Sequence, residues 1–339
     1  MDRSPCVAFE AGQSSVIIGL DYRPAVLQFA GIARYGRMLA RSLTSAMDPG
    51  DRLKLFTHSW AKPQIDRSLW ELNHPQVSAY RRRIPGRAIL LGHQIFGRGA
   101  DDWIGGCDIF HRTDFVRLPI RKAKIVATVF DASFAVDESF HGPDASRNLM
   151  KVTRSLIDEA AVVLAPSQFA AMDIVVRCGA PIEKVLVTPL GMDHFPHMPM
   201  TVEPPHPKPY LLTLGTVEPR KNHLRALRVF ERLVREGTKH RWVIAGKRGW
   251  MCDDFWEALE RSPARSQVIL DPDIPDHRLA NLVKHCDILL YPSLYEGFGL
   301  PPLEAQALGV PTVTSAVSSM PEVCGDAAAY CDPEDEDSI

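Results

Sequence analysis

Short apolar runs alternate with longer amphipathic segments through the first half of the chain. The runs predict buried strands at Val16–Leu20, Leu53–Thr57, Lys124–Phe130, Ala161–Ala165 and Val185–Thr188. Helical periodicity is present between them, as over Arg34–Met47 and Leu149–Ala160. Because alternating strands and helices are typical of a parallel sheet covered on both faces, this half is predicted to be a doubly wound α/β unit.

The same alternation returns in the second half, after an interruption. The segment HFPHMPMTVEPPHPKP, at 194–209, contains six prolines and predicts a linker with little regular structure. Beyond it, strands are expected at Leu211–Leu214, Trp242–Ala245, Ser266–Leu270, Asp287–Tyr291 and Val310–Thr314, and helices at Leu224–Glu236 and His277–His285. We therefore expect two Rossmann-like domains, 1–193 and 210–339, which face a cleft where ligands bind at the strand ends.

Composition narrows the class of protein. The 339 residues are 45% hydrophobic and 24% charged, which is typical of a soluble globular protein, and no apolar run is long enough to span a bilayer. The seven cysteines lack CxxC spacing, so we expect reduced thiols and a cytoplasmic location rather than disulfides or a zinc site. The absence of a dinucleotide fingerprint, a phosphate loop and a basic stripe with aromatics argues against dehydrogenases, P-loop enzymes and nucleic-acid binders.

Charge is unevenly spread. Residues 1–190 contain 24 basic and 19 acidic side chains, whereas the remainder contains 15 and 22. The basic excess includes Arg81–Arg83 and Arg87, which lie beside the apolar run Ala88–Leu91. Two interpretations stay open: a solvated basic loop, or a patch that rests on the inner face of an anionic membrane.

The segment YEGFGLPPLE contains the most informative chemistry. Its loop should follow the strand Asp287–Tyr291, and a helix at Leu303–Leu308 should follow the two prolines and end at Gly309. Backbone N–H groups at a glycine loop and a helix start favour anions, whereas the carboxylates of Glu296 and Glu304 would repel phosphate. These two side chains are therefore expected to bind neutral hydroxyls on either side of a diphosphate, as in a nucleotide sugar.

These residues also have the form of a known motif. Glu296, Glu304 and the GFGLPPL between them resemble the E-x7-E motif of the retaining, family 4 (group 1) glycosyltransferases of GT-B fold. The segments LLTLGTVEPRKNHLRAL, PTVTSAVSSMPEVCGDAAAY, GIARYGRMLARSL and VATVFDASF resemble other parts of that family. The resemblance extends from about Val16 to Cys331, and includes mannosyltransferases of polysaccharide and O-antigen synthesis.

The resemblance implies donor-binding roles in the second half. Lys221, assisted by Arg220, would bind the donor diphosphate. Glu296 would hold the transferred sugar, and Glu304 the ribose. Backbone N–H groups would come from Phe298, Gly299 and Leu300, which follow Glu296 after one glycine.

In the first half, Gly31 would let a loop approach the donor phosphates. Asp131 and His111 would lie at strand ends on the acceptor side. The catalytic set implied is Glu296, Lys221 and Asp131. Four of the implied residues have a structural alternative: a surface turn for Lys221, a helix-terminal charge for Glu304, a capping or turn residue for Asp131 and a satisfied strand-end histidine for His111.

Two positions depart from the family. Phe130 stands where many relatives have a histidine before the aspartate, so the acceptor side is the less defined, with Asp131 or His111 as candidates to compensate. Thr216 stands where several relatives have an arginine, whose charge Arg220 is expected to replace. The pair Asp271 and Asp273 has the form DxD, but its position near the expected nucleobase argues against a metal site.

The expected activity is transfer of a sugar, with mannose from GDP-mannose first, to a hydroxyl of a saccharide or lipid-linked saccharide, without cofactor or metal. With no evident protein nucleophile, front-face displacement is preferred by analogy. The alternatives are a GT-B sugar-nucleotide epimerase, a phosphorylase, for which no pyridoxal-binding lysine is evident, and a donor-binding protein without transferase activity. Since relatives usually continue beyond the equivalent of Ile339 with a helix that crosses back, the chain is expected to be truncated.

Overall fold

The computed structural model describes residues 15–27, 31–60, 70–192, 195, 200–272, 274 and 276–339. Several positions discussed above lie outside these residues. They are the first 14 residues, most of the early linker (194 and 196–199) and Asp273 of the DxD pair; the side chain of Arg87 is likewise not described.

The first half forms a seven-stranded parallel sheet in the order β3-β2-β1-β4-β5-β6-β7. The strands are β1 Ile17–Asp21, β2 Arg52–His58, β3 Val77–Arg82, β4 Ile109–Arg112, β5 Lys124–Thr128, β6 Val162–Ala165 and β7 Val185–Val187. The described helices are Arg23–Leu27, Gly31–Ala46, Gly86–Phe96, Ala100–Trp103, Ser133–Val136, Pro143–Glu159 and Gln168–Cys178.

The second half forms a six-stranded parallel sheet in the order β10-β9-β8-β11-β12-β13. The strands are β8 Tyr210–Leu214, β9 Arg241–Ala245, β10 Val268–Asp271, β11 Ile288–Tyr291, β12 Thr312–Ser315 and β13 Ala329–Cys331. The described helices are His223–Arg235, Asp253–Arg261, Asp276–His285, Leu300–Ala307 and Met320–Cys324.

The strands expected from apolar runs are confirmed, with ends that differ by a few residues. Three strands, β3, β4 and β13, were not predicted from apolar runs. The sequence of β3, VSAYRR, has no such run and lies half-exposed at the edge of its sheet. The interpretation of Arg81 and Arg82 as part of a solvated loop is therefore wrong, since both belong to β3. The apolar run beside them forms part of the helix Gly86–Phe96.

Each sheet is buried by helices on both faces, and β8, with all five residues buried, lies in the middle of its core. In the second half Tyr210, Leu212 and Tyr291 pack in one cluster, while Trp242 packs in the cluster on the opposite face. No helix among the described residues is long and apolar enough to cross a membrane. The six cysteines in the described part of the chain are unpaired thiols.

The two halves contact each other along the carboxyl ends of their strands. Ser167 Oγ donates a hydrogen bond of 2.7 Å to the carbonyl of Gly297. The Glu322 carboxylate accepts from the backbone N–H groups of Gln168 and Phe169, at the positive end of the helix Gln168–Cys178. These contacts bring the loop after β11 against the first half.

Candidate active site

The loop between β11 and the helix Leu300–Ala307 is held by close backbone approaches. A Cβ on Gly297 would lie 2.1 Å from the carbonyl oxygen of Phe130, in the other half. Gly299 has φ 102°, and a Cβ there would lie 2.2 Å from Met320 Cε. The two glycines therefore let this loop contact protein on both sides, and not only a ligand as their sequence suggested.

Serines fix the loop on which Glu296 lies. Ser318 Oγ accepts from the Glu296 N–H at 2.9 Å, and Ser319 Oγ lies 2.9 Å from the carbonyl oxygens of both Glu296 and Phe298. The helix then starts at Leu300, earlier than predicted, with both prolines in its first turn as expected. Gly309 follows this helix with φ 68°, which confirms its predicted role as the terminating glycine.

The Glu296 side chain lies between two cations. Its Oε1 is 2.5 Å from Lys221 Nζ and its Oε2 is 2.7 Å from Arg220. Arg220 also pairs with Glu218 at 2.7 Å, and Lys221 donates a hydrogen bond to the Tyr291 hydroxyl. All of these side chains are buried or nearly so, and they form one charged cluster at the ends of β8 and β11.

Protonation within this cluster follows from burial and pairing. Burial on its own would raise the pKa of Glu296, but Arg220 and Lys221 outweigh it and hold this pKa at about 2. Burial lowers the pKa of Lys221 despite the opposing attraction of Glu296. The carboxylate is therefore ionised across the physiological range, which keeps a negative charge between the two cations.

The local sequence explains how Lys221 reaches this position. Residues Pro219–Lys221 form a short 3-10 turn, and Asn222 takes the left-handed conformation at φ 61° before the helix His223–Arg235. Asn222 Nδ2 donates to the carbonyl of Pro292 at 3.0 Å, which ties the turn to the β11 loop. Gly215, at φ 125°, leaves space beside Lys221, since a Cβ would lie 3.3 Å from Lys221 Cε.

Glu304 is buried and forms an ion pair across the cleft with Arg34, in the first turn of the helix Gly31–Ala46. Gly31 begins that helix, and a Cβ there would lie 3.6 Å from Leu300 Cδ1. The structure thus brings Gly31 together with Leu300 and Glu304, as expected for two loops that flank one ligand. Any hydroxyl that binds Glu304 must share its carboxylate with Arg34.

Asp131 lies directly below this loop, in contact with Gly297. Its Oδ1 accepts from the Ser133 N–H at 3.0 Å and from Ser133 Oγ at 2.8 Å. The residue therefore acts as a turn-forming carboxylate, while it also lies close enough to Arg220 to raise the pKa of that side chain. Asp131 is therefore a turn residue, as its structural alternative held, and it also lies beside the candidate site.

His111 is hydrogen-bonded within the first half. It is buried within β4, and its Nε2 is 2.8 Å from Thr128 Oγ1, which in turn is 2.9 Å from the Tyr35 hydroxyl. Burial lowers the pKa of His111 to about 4, so the ring is neutral. Phe130, in place of the family histidine, packs edge-on against Tyr35 at 5.0 Å between ring centroids.

Several site residues were not predicted from the sequence. Arg34 neutralises Glu304, and Glu218 neutralises Arg220. His141 follows the helix Ser133–Val136 and lies near Glu218 and Arg220. Arg34 and Glu218 lie within GIARY and GTVEPRKN, two segments that resemble the family, and this resemblance was the only sequence signal for them. No sequence signal pointed to His141. Asp271, of the DxD pair, is 2.9 Å from His206 and 3.0 Å from Arg278.

Comparison with known proteins agrees with this geometry. A family model described as glycosyl transferases group 1 matches residues 199–339. The chain is 32% identical over 334 residues to O-antigen chain mannosyltransferase B of Escherichia coli, covering 93% of this chain and 86% of that protein.

Solved structures give the fold. Sucrose-phosphate synthase from Thermosynechococcus elongatus matches with a TM-score of 0.71 at 16% identity, covering 95% of this chain and 87% of its own. Anabaena HepE, in complex with UDP and glucose, matches with a TM-score of 0.69 at 15% identity over the same shares. The two facing parallel sheets are therefore a GT-B fold, as the sequence predicted.

Proposed function

This chain belongs to the group 1 glycosyl transferases, and on that premise we propose that it is a family 4 enzyme that transfers mannose, with retention, from GDP-mannose to a saccharide hydroxyl. The mannosyltransferase name of its relative supports the choice of sugar. The donor binds the second half and the acceptor enters from the first. The product is a cell-surface polysaccharide or lipopolysaccharide chain.

The observation that supports this proposal most is the buried cluster of Glu296, Lys221 and Arg220. Because the Glu296 carboxylate lies between two cations, a bound donor can form ion pairs with the cations and hydrogen bonds with the carboxylate. The diphosphate oxygens take up the cations, and the carboxylate is then released toward the hydroxyls of the sugar. This exchange leaves no buried charge without a partner, which would otherwise be costly.

Catalysis in this proposal depends on the charge that develops on the leaving diphosphate. Lys221, Arg220 and the N–H groups of Phe298–Leu300 stabilise that charge in a site that excludes water. The residues then supply what a metal ion supplies in other transferases, so activity is expected to be independent of metal. Glu304 holds the ribose, Glu296 the sugar, and the leaving phosphate accepts the proton of the attacking hydroxyl.

The experiment begins with a thermal-shift panel of GDP-mannose, UDP-glucose and ADP-glucose. A ligand at 100 times its dissociation constant adds about 2.7 kcal/mol to the free energy of unfolding, so the true donor should raise the melting temperature. The stabilising donor is then incubated with a mannoside acceptor, with and without EDTA. NMR of the product reports its anomeric configuration. Incubation with the donor alone distinguishes an epimerase, and stabilisation without transfer to any acceptor would indicate a binding protein instead.

Lys221→Gln tests the central cluster. We expect a loss of roughly 100- to 1,000-fold in kcat, as found when one donor to a developing oxyanion is removed. Lys239→Gln, the same change at an exposed position before β9, is the matched control and should leave kcat unchanged. Equal activity of the two variants would contradict the proposed role.

We further propose a cytoplasmic enzyme that is peripheral to an anionic membrane bearing a lipid-linked acceptor. The helix Gly86–Phe96 exposes Leu91, Ile95 and Phe96, by 54%, 61% and 73% of their surfaces. Arg82 and Arg83 are exposed just before this helix. Apolar side chains beside basic ones suit the headgroup region of an anionic bilayer.

The double variant Arg82→Gln/Arg83→Gln tests this surface. Each basic residue near an anionic surface contributes about 1 kcal/mol, so binding to phosphatidylserine vesicles at low salt should weaken roughly 30-fold. Arg147→Gln/Arg261→Gln, on exposed helix positions elsewhere, is the charge-matched control. Equal vesicle binding by both double variants would exclude the Arg82 surface.

A further inference from the structure

His141 is placed at the cleft by contacts from both halves. Its ring stacks on the Trp250 indole, with centroids 5.6 Å apart and planes 22° apart. Trp250 Nε1 donates a hydrogen bond of 2.7 Å to the carbonyl of Phe140, the neighbour of His141. Gly142, at φ 81°, leaves space for Met251, whose sulfur would lie 3.4 Å from a Cβ there. This packing holds the ring in one orientation.

A chain of hydrogen bonds connects His141 to Asp131. Ser133 Oγ lies 2.8 Å from Asp131 Oδ1 and 2.9 Å from His141 Nε2. A carboxylate only accepts hydrogen bonds, so the single hydroxyl proton of Ser133 is donated to Asp131. His141 must then donate its own proton from Nε2 to Ser133. The ring is thereby held in the tautomer that leaves Nδ1 as a hydrogen-bond acceptor.

The surroundings of His141 are those of the donor cluster. The charged groups that face the ring are Asp131, on its own side, and Glu218 and Arg220, from the second half. Burial lowers the pKa of His141, while the two carboxylates oppose this and Arg220 adds to it. The ring is only half-buried, so a ligand in the cleft has access to it.

We propose that His141 is a positioning residue which accepts, at Nδ1, a hydrogen bond from a hydroxyl of the acceptor sugar. No proton is transferred to the ring, because the leaving diphosphate accepts the proton of the attacking hydroxyl. The inference rests on the proposed function, since it presumes that a saccharide acceptor enters from the first half.

Two substitutions separate this role from a purely structural one. The amide of His141→Gln reaches about as far as Nε2 and retains the bond to Ser133, whereas that of His141→Asn ends near Nδ1. We expect His141→Gln to raise the acceptor KM roughly 2- to 10-fold, the effect of one neutral hydrogen bond, and His141→Asn to raise it less. The donor KM should be unchanged in both, as should every parameter in the control His240→Gln, in the turn before β9.

The pH profile and NMR complete the test. In the wild type, kcat/KM for the acceptor should fall on the acid side, as pH drops through the pKa of His141, which burial holds below its usual range, and this limb should be absent in His141→Gln. Long-range ¹⁵N–¹H spectra should show the Nε2–H tautomer, which Ser133→Ala should weaken. Added methyl α-mannoside, with GDP present, should shift the Nδ1 resonance.

The outcomes can be told apart. Transfer by the wild type together with unchanged acceptor KM and pH profile in His141→Gln would overturn the role of His141 and leave the proposed function intact. Absence of transfer would contradict the proposed function, and the NMR titration would still decide whether Nδ1 contacts a mannoside. An Nδ1–H tautomer in the wild type would overturn the hydrogen-bond chain itself.

Discussion

On the second-half wall of the cleft Glu296 lies between Lys221 and Arg220, whereas on the first-half wall His111 is bound to Thr128 and Phe130 packs on Tyr35. The first arrangement is fully charged, and every charge is paired with an opposite one. The second arrangement, around His111 and Phe130, is neutral and largely aromatic, and the charges of the first half nearest to it, on Arg34 and Asp131, lie against the second half. A diphosphate needs the first kind of surface and a saccharide suits the second, which is the difference that the proposed assignment of donor and acceptor to the two walls requires.

The contrast teaches that charge reveals a site in sequence more readily than polarity does. Buried charges are rarely tolerated without partners, so a run such as EPRKN followed by a distant YEGFG requires explanation. A serine or a histidine on the opposite wall is neutral, and such residues commonly have structural roles, so their presence in the sequence does not indicate a site. The sequence therefore named Glu296, Lys221 and Arg220 on the second-half wall, although not Glu218, while on the first-half wall it gave candidates only in outline.

The two glutamates of the donor wall should differ most when each is changed to glutamine. Glu304→Gln should mainly raise the donor KM, because a ribose contact is equally strong before and during the reaction. Glu296→Gln should mainly lower kcat, because its contact strengthens as the bond to phosphate breaks. A charged hydrogen bond contributes about 1.5–3 kcal/mol, so each effect should be roughly 10- to 150-fold.

Calorimetry with free GDP provides the check on this division. GDP lacks the sugar, so it should bind normally to Glu296→Gln and poorly to Glu304→Gln. Arg34→Gln is the control for the ion pair, since it leaves Glu304 intact and removes only its partner. If both glutamine variants lose GDP equally, or neither does, the proposed division is wrong.

Opposite pH dependences of stability should separate the two halves. Burial, opposed by Arg23, raises the pKa of Asp21, at the end of β1, to about 6, whereas that of Glu296 is held at about 2. Asp21 therefore costs stability progressively as pH rises from about 4 through 6. Glu296 contributes stability that is complete above about pH 4.5 and is lost as pH falls toward 2.

Urea unfolding between pH 3 and 8 measures both effects. Relative to the wild type, Asp21→Asn should gain stability with rising pH, by up to about 3 kcal/mol at 1.36 kcal/mol per pKa unit. The deficit of Glu296→Gln should shrink as pH falls below 4.5. Parallel pH profiles for the wild type and both variants would show that neither carboxyl has the environment described.

The smallest effect is expected from Phe130→His, which restores the histidine of the relatives. If His141 already serves the acceptor, kcat/KM should change less than about threefold, at the lower end of what one neutral hydrogen bond contributes. The lost edge contact with Tyr35 should lower stability by about 0.5–1.5 kcal/mol. A large gain in acceptor kcat/KM would instead show that the first-half wall lacks a group that it needs.

The sequence alone determined the strands that form apolar runs, the glycine that ends the helix Leu300–Ala307, and the grouping of Glu296 with Lys221. Apolar periodicity and glycine conformation are local properties, and the motif joins segments that parallel strands must bring to one edge. Only the tertiary structure decided that Arg34 pairs with Glu304 and that Ser133 orients His141. These contacts depend on how two helices and two halves pack, and a side chain such as His141 reveals its use only when its hydrogen-bond partners are known.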